Sequence, residues 1–529
     1  MLAKLFSVAL EGIEGIICEV EVDVARGGFE KTLIVGLPDA AVKESAERVK
    51  SAIVNCGYKY PKTQSLVNLA PADIKKEGPS FDLPIALGML LGQNVFSSAV
   101  LKDFVIVGEL ALDGRVRPVN GILSMAMTAK AAGFRGIIVP LDNAPEAAVV
   151  EDLEVYGVGS LTQALEFLAG RLPLQTTAID IDEIFNIESR YDVDFSDVKG
   201  QESVKRALTI AAAGGHNILM IGPPGAGKTM LAQRLATILP SLTLTESLET
   251  TRIYSSVGLL GKGKALLATR PVRMPHHTAS GPALIGGGAN ARPGELSFAH
   301  HGILFLDEFA EFPRHVLEMI RQPLEDGSVT VSRAKKSITY FAAFLLVASC
   351  NPCPCGYFGS DFRRCKCTPG QVERYLSKIS GPLIDRIDIH IDVPPVSFSK
   401  LRSKVAQLDS STIRADVIKA RAIQANRVWH GLPAREDTAS PQDALRRMAV
   451  PQILTNARMT HKQVEKFCKL DTSCEMLLKQ AIVEFGLSAR AHDKICKVAR
   501  TIADLADCVD IKPEHLAEAV GYRKLDRKL

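Results

Sequence analysis

The chain has 529 residues, 47% of them hydrophobic and 23% charged, with a formal net charge of +4, the proportions of an ordinary globular protein of several domains. So small a charge does not impose a polyanion partner, and any nucleic-acid contact has to come from a local basic surface. No run of 18 apolar residues predicts a membrane span, Glu11 and Glu14 after the apolar start argue against a secretory leader, and the eleven cysteines, five within 350–367, fit a reduced, cytoplasmic setting with a metal site better than disulfides.

Residues 1–172 alternate apolar runs with helical stretches. Leu33–Val35, Leu66–Leu69, Val105–Val107 and Gly136–Val139 read as strands, and Ala40–Val54 and Leu123–Ala132 as helices, an α/β pattern. Residues 173–195, with Pro173, Thr176, Thr177 and several acids, read as a linker. Residues 196–400 are again α/β, with strand-like runs at 218–221, 303–306 and 345–349. Residues 401–529 are helical; Ile495, Val498, Ile502 and Leu505 share one helix face.

The second segment carries the chemistry. The apolar strand Ile218–Ile221 leads into Gly222, Pro223, Pro224, Gly225, Ala226, Gly227, Lys228 and Thr229, and Met230 continues into a helix. This is the phosphate loop G-x-x-x-x-G-K-[ST] in its strand–loop–helix setting. Glycines let backbone N–H groups turn toward a phosphate, Lys228 reaches the β- and γ-phosphates of ATP, and Thr229 offers its hydroxyl to Mg²⁺. Downstream, the apolar run Ile303–Leu306 ends in Asp307 and Glu308. Asp307 is suited to hold the Mg²⁺, and Glu308 to orient the attacking water. The interval between the two motifs leaves room for an insertion, and residues 262–297 bring Lys262, Lys264, Arg270, Arg273, His276 and His277. Adjacent histidines on a strand point to opposite faces, so His276–His277 and His300–His301 are read as loop structure or nucleotide-linked hydrogen bonding rather than metal ligands.

Val329 and Val331 alternate with polar residues, as do Ile338 and Tyr340, predicting a β-hairpin with Arg333, Lys335 and Lys336 at its tip. Three cations there suit sequence-independent contact with DNA phosphates; the alternative is a solvated charged turn. Beyond it, Cys353 and Cys355 are followed by Cys365 and Cys367. Two thiolate pairs joined by a loop can give four sulfurs to a structural Zn²⁺, with Cys350 a possible substitute ligand and free thiols the alternative.

Further segments point to known families. Asn351, at the end of the strand 345–349, resembles the sensor-1 residue of AAA+ proteins. Ser380-Gly-Pro-Leu-Ile-Asp385-Arg386-Ile-Asp388 resembles the segment of magnesium-chelatase-type and MCM-type motors whose arginine reaches a neighbour's γ-phosphate. The resemblance gives that role to Arg386, worth about 10³–10⁵ in rate where it operates, and implies a ring. Arg490, in Gly486-Leu-Ser488-Ala-Arg490, resembles the sensor-2 arginine of the lid. Over its whole length the chain resembles the bacterial ComM/YifB family of magnesium-chelatase-like proteins, through Ile34–Ser45, Met274–Ser280, Arg292–Glu295, Asn351–Gly356 and Arg500–Asp504. That resemblance implies a homohexameric, ATP-driven DNA helicase for branch migration of recombination intermediates during natural transformation, with single-stranded and branched DNA, and other recombination proteins, as partners. Residues 75–80 and 108–121 resemble the Lon protease segments that flank a Ser–Lys dyad. Leu123 stands where that lysine falls and Phe81 where a small residue follows the serine, so Ser80 lacks an activating base and the N-terminal domain is expected to be Lon-like (S5-like) but non-proteolytic. The competing readings are a chelatase-type motor that remodels a protein complex and, less favoured, an ATP-dependent protease.

Overall fold

The computed structural model describes residues 2–25, 27, 29–98, 100–188, 191–261, 263–288, 290–333, 336–359, 363–396, 408–429, 455–486 and 488–523. The chain divides into two compact units, one of residues 1–188 with 247–268, the other of 189–246 with 269–529. Among the described residues no helix is long and apolar enough to cross a membrane.

The first unit is built on a hairpin of β1 (Leu2–Glu11) and β2 (Glu14–Val24). Their pairing is antiparallel, Leu5 opposite Val20 and Ala3 opposite Val22. Leu5, Val20 and Val22 are fully buried while Lys4 pairs with Glu19 and Glu21 on the other face, the alternation a half-covered sheet demands. The apolar start of the chain is therefore the middle of a sheet. Around it lie β3 (Lys31–Val35), β4 (Gln64–Ala70), β5 (Phe104–Ile106), β6 (Gly136–Pro140) and β7 (Glu154–Val158), in the order β3-β4-β2-β1-β5-β6-β7. The predicted helices are present as α1 (Ala40–Asn55) and α3 (Ile122–Ala131). Between them α2 (Asp82–Gly92) buries Leu83, Ile85, Leu87 and Leu90. A Cβ on Gly88 would fall 2.6 Å from Val22 Cγ2, so glycine there lets the helix rest directly on β2. The stretch read as a linker contains the helix α5 (Ile181–Glu188), which follows α4 (Leu161–Leu168).

The second unit carries a five-stranded, all-parallel sheet. Its strands are β8 (Ile218–Ile221), β9 (Val272–Arg273), β10 (Ile303–Leu306), β13 (Leu345–Cys350) and β14 (Ile389–Asp392), in the order β9-β10-β13-β8-β14. The three long apolar runs in the sequence are the three central strands, buried on both faces as parallel sheets require. Of the edge strands, β9 is too short and β14 too polar to show an apolar run. Helices α6 (Glu202–Gly214) and α7 (Lys228–Ile238) precede and follow β8, and α8 (Leu244–Ser256) begins here, with its residues from 247 onward assigned to the first unit.

The hairpin is present with the predicted alternation. Strands β11 (Ser328–Arg333) and β12 (Lys336–Phe341) pair Val329 with Tyr340 and Val331 with Ile338. Those four side chains are buried, and the Tyr340 hydroxyl donates to Ala291 O. The opposite face carries hydroxyl pairs, Thr330 with Thr339 and Ser332 with Ser337, both 2.9 Å. Short helix α9 (Arg321–Asp326) runs into the hairpin through Gly327, whose φ is 65°.

The helical end of the chain comprises α10 (Ser410–Trp429), α11 (His461–Phe467), α12 (Thr472–Phe485), α13 (Ala489–Leu505) and α14 (Pro513–Gly521). Ile495, Val498 and Ile502 are buried on α13. Buried Asp504 ties the helices together: it accepts from Arg500 Nε at 3.0 Å, Arg427 Nη1 at 3.2 Å and Asn456 Nδ2 at 2.8 Å.

Candidate active site

Strand β8 ends at Ile221 and the phosphate loop begins at once. Gly222 donates its N–H to Cys350 O on β13, and a Cβ there would lie 2.3 Å from Val393 O. Only glycine lets the loop turn so close to the end of β14. Gly225 and Gly227 have φ of 78° and 84°, with nothing within 4 Å of a Cβ built on either. The left-handed backbone turns N–H groups into an open cradle, which is the space a nucleotide phosphate needs. Gln201 braces the cradle from outside, its Nε2 donating to Ala226 O at 2.9 Å and Pro394 O at 2.7 Å.

Lys228 starts α7 and is 9% exposed. Its ammonium donates to Gly222 O at 2.7 Å, Pro223 O at 3.1 Å and Asn351 Oδ1 at 3.2 Å. Burial pushes its pKa down, and a phosphate replacing those neutral acceptors would relieve that. Asn351 follows β13, so the sensor-1 candidate touches the phosphate-loop lysine itself. Thr229 Oγ1 donates to Asp307 Oδ2 at 2.8 Å, and the other Asp307 oxygen takes the Ser349 hydroxyl and the Glu308 N–H. Thr229 and Asp307, in contact and at the mouth of the cradle, fit Mg²⁺ bound on a nucleotide. Glu308 sits at φ 52°, a left-handed turn. His277 Nδ1 lies 3.1 Å from that carboxylate.

The sequence did not single out Gln201, Ser349 or the pairing of His277 with Glu308, because each depends on a contact between elements distant along the chain. Two of the cations within 262–297 are held by carboxylates of the fold. Arg270 is buried and paired with Glu246 Oε2 at 3.0 Å, and Arg273 makes two bonds to Glu295, at 2.6 and 2.7 Å. Both guanidiniums are structural; Lys262 lies outside the described residues. Residues 247–268 belong to the first unit, where Arg252 reaches Glu14 and Ile13 O, each at 2.9 Å.

Arg386 and Arg490 are not at this cradle. They line one cavity of about 520 Å³ together with Asn217, Glu325, Asp388 and Lys494. Asn217 precedes β8 whereas Lys228 follows it, so cavity and cradle lie at opposite ends of parallel strands, about 13 Å apart along a four-residue strand. Buried Asp388 accepts from Lys494 at 2.5 Å; against the burial that would raise it, Lys494 and His216 hold its carboxyl well below the usual range.

The four cysteines of the predicted metal site come together: Cys353, Cys355, Cys365 and Cys367 place their sulfurs within 4.8 Å of one another. The separations 3.3, 3.7 and 3.6 Å for the pairs 353–355, 353–365 and 355–365 are near the ~3.8 Å between sulfurs of a tetrahedral zinc thiolate site. N–H groups of Lys366 and Tyr357 pull the Cys355 thiol down to about 6, while, against the Cys367 N–H, burial and the neighbouring sulfurs push Cys365 up to about 12, so one sulfur of the cluster is poised as the thiolate a metal needs. The donor set therefore fits Zn²⁺. Cys350 is no substitute ligand: it is interior to the sheet, and burial raises its thiol to about 12. A Cβ on Gly356 would fall 2.6 Å from Pro224 Cδ, so the cysteine loop rests on the phosphate loop.

Arg333 and Lys336 pair across the outer end of the hairpin backbone; Lys335 lies outside the described residues. In the first unit Leu123 is buried and its N–H donates to Glu146 at 2.8 Å. Lys76 turns its ammonium to the carbonyls of Pro71 and Ile74 and Lys130 pairs with Asp152, so neither lysine's recorded bonds reach Ser80.

A parallel sheet with the strand order above, a phosphate loop after the inner strand β8 and an Asp–Glu pair at the end of β10, two strands away, define a P-loop ATPase of the AAA+ class. Family models agree: residues 194–401 match "Magnesium chelatase, subunit ChlI", residues 20–143 "Subunit ChlI of Mg-chelatase", and residues 407–523 its C-terminal part. The chain is 41% identical to Competence protein ComM of Haemophilus influenzae, over all of this chain and 98% of that protein. It is 40% identical to the uncharacterized protein YifB of Escherichia coli, over 96% and 94%. The 38 kDa magnesium-chelatase subunit of Rhodobacter capsulatus is 29% identical over 30% of this chain and 50% of that protein. The chain belongs to the ComM/YifB family of magnesium-chelatase-like proteins.

Proposed function

We propose that the chain is the subunit of a cytoplasmic homohexameric motor that uses ATP to move branch points and separate strands in DNA recombination intermediates, in the integration of DNA during natural transformation. The observation that carries the motor reading is the separation of the catalytic parts. Lys228, Thr229, Asp307, Glu308 and Asn351 meet at one end of the sheet, while Arg386 and Arg490 line a cavity at the other. That separation supports a role for Arg386, and with it Arg490, at a neighbour's cradle, an arrangement that a closed ring satisfies for every subunit at once.

Bound Mg²⁺–ATP supplies the γ-phosphoryl group that passes to water. With it bound, Lys228 would exchange its carbonyl acceptors for phosphate oxygens, Thr229 and Asp307 would hold the metal, and Glu308, steadied by His277, would orient the water. Arg386 and Arg490 of the adjoining subunit balance the charge that develops in transfer. The hairpin supplies the DNA contact through Arg333, Lys335 and Lys336, with hydroxyls on its exposed face. A Lon-like N-terminal domain without a dyad serves ring building.

The DNA substrate rests on the full-length similarity to a competence protein, which takes in the N-terminal domain and the cysteine loop. A chelatase-type motor acting on proteins is the second reading, favoured by the three family models, though the chelatase subunit spans only 30% of the chain. ATPase assays with and without single-stranded and four-way DNA separate them. Stimulation by DNA that weakens with salt and with Arg333→Ala/Lys336→Ala supports the motor on DNA. Activity indifferent to DNA and raised by a protein partner supports the second.

A further inference from the structure

Arg386 is held by groups of its own subunit. Its side chain is only 13% exposed, Nη2 pairs with Glu325 and Nη1 donates to Pro382 O at 2.7 Å. The third nitrogen, Nε, is buried without a partner. A guanidinium left with an unsatisfied buried donor is not at its best position, and the donor lies on a residue lining the cavity that also holds Arg490. Glu325 is the residue on which this position turns. It is 55% exposed, so its ion pair is weak and replaceable. It lies on α9, two residues before Gly327, the left-handed hinge that opens into β11. Ala342 N–H closes the hairpin foot on Gly327 O at 2.8 Å.

We infer that Glu325 is a positioning residue that couples a neighbouring subunit's nucleotide to the hairpin, by holding Arg386 back until a phosphate displaces it. The inference rests on the trans role proposed above. A polyphosphate arriving at Arg386 brings several negative charges beside the Glu325 carboxylate. Attraction to the guanidinium and repulsion of the carboxylate act together. Arg386 extends, Glu325 is expelled, and α9 carries the displacement through Gly327 into β11. The same latch is open to DNA: DNA that shifts the hairpin draws Glu325 from Arg386 and raises the population in which the finger is free. DNA would thus stimulate hydrolysis without touching the nucleotide site.

The test uses the full chain and compares wild type, Glu325→Gln and Glu325→Asp, with single-stranded DNA as the probe. Glu325→Gln keeps size and removes charge. Its expected result is a severalfold rise in DNA-free kcat at unchanged KM, with the ratio of DNA-stimulated to DNA-free turnover falling to about one, the value of zero coupling. Glu325→Asp, which keeps the charge, restores the ratio. A wild-type ratio in Glu325→Gln overturns the latch. Mixed rings of Lys228→Ala and Arg386→Ala subunits test the footing separately, since each supplies what the other lacks. Recovered activity upholds the trans arginine, and its absence overturns the ring reading and this proposal with it.

Discussion

His277 Nδ1 stands 3.1 Å from the Glu308 carboxylate, across two loops that leave the sheet beside each other. Glu308 is half exposed and its backbone is in a left-handed turn, so without His277 its carboxylate would sample several positions. His277→Ala should lower kcat by about 10²-fold, the cost of a misplaced catalytic group, with nucleotide affinity intact. His277→Gln, which keeps a donor, should recover most of the loss. Equal kcat for Ala and wild type would show that Glu308 needs no such support.

Arg386 and Arg490 share one cavity away from their own cradle. Arg386→Ala should leave ATP binding nearly unchanged, while turnover falls by about 10³ or more. Arg490→Ala should move in the same direction. Binding measured by a fluorescent nucleotide, alongside steady-state turnover, separates the two effects. Parallel loss of affinity and turnover would place these residues at the subunit's own nucleotide instead.

The four-cysteine site should yield about one zinc per chain. Removal by a chelator, or Cys355→Ser, should lower Tm and also weaken nucleotide binding, because Gly356 packs on Pro224 of the phosphate loop. Elemental analysis of the native protein is the check; absence of zinc would contradict the assignment.

Asp504 is buried and accepts from Arg427, Arg500 and Asn456. Asp504→Ala leaves two guanidiniums without their anion and should cost about 3–5 kcal/mol, seen as a lower midpoint in urea. A loss under ~1 kcal/mol would mean the helices are held by apolar packing alone.

The parts legible in the sequence are those whose physics is local. The phosphate loop needs its glycines and lysine in fixed order, and the pairing of Val329 with Tyr340 follows from period-two alternation. The sulfur cluster follows from four cysteines in a short span. What the sequence hid is non-local. Arg270 and Arg273 look like free cations of the insertion until Glu246 and Glu295 are folded against them. Arg490 carries a lid signature, yet only the packing of α13 shows it beside Arg386. The hairpin β1–β2 was obscured because Gly15-Ile16-Ile17-Cys18 interrupts its alternation. Strand β9 is only two residues long, and β14, as long as β8, is broken by the polar His390 and Asp392, so it shows no apolar run.

The central claim is that ATP hydrolysis at Lys228 drives movement of DNA. Its most direct measurement is release of a labelled strand from a synthetic four-way junction with ATP, by wild type and by Lys228→Ala. The account predicts release by wild type alone, lost when ATP is withheld. Intact, DNA-insensitive ATPase with no release would contradict it, and would point to a motor that works on proteins.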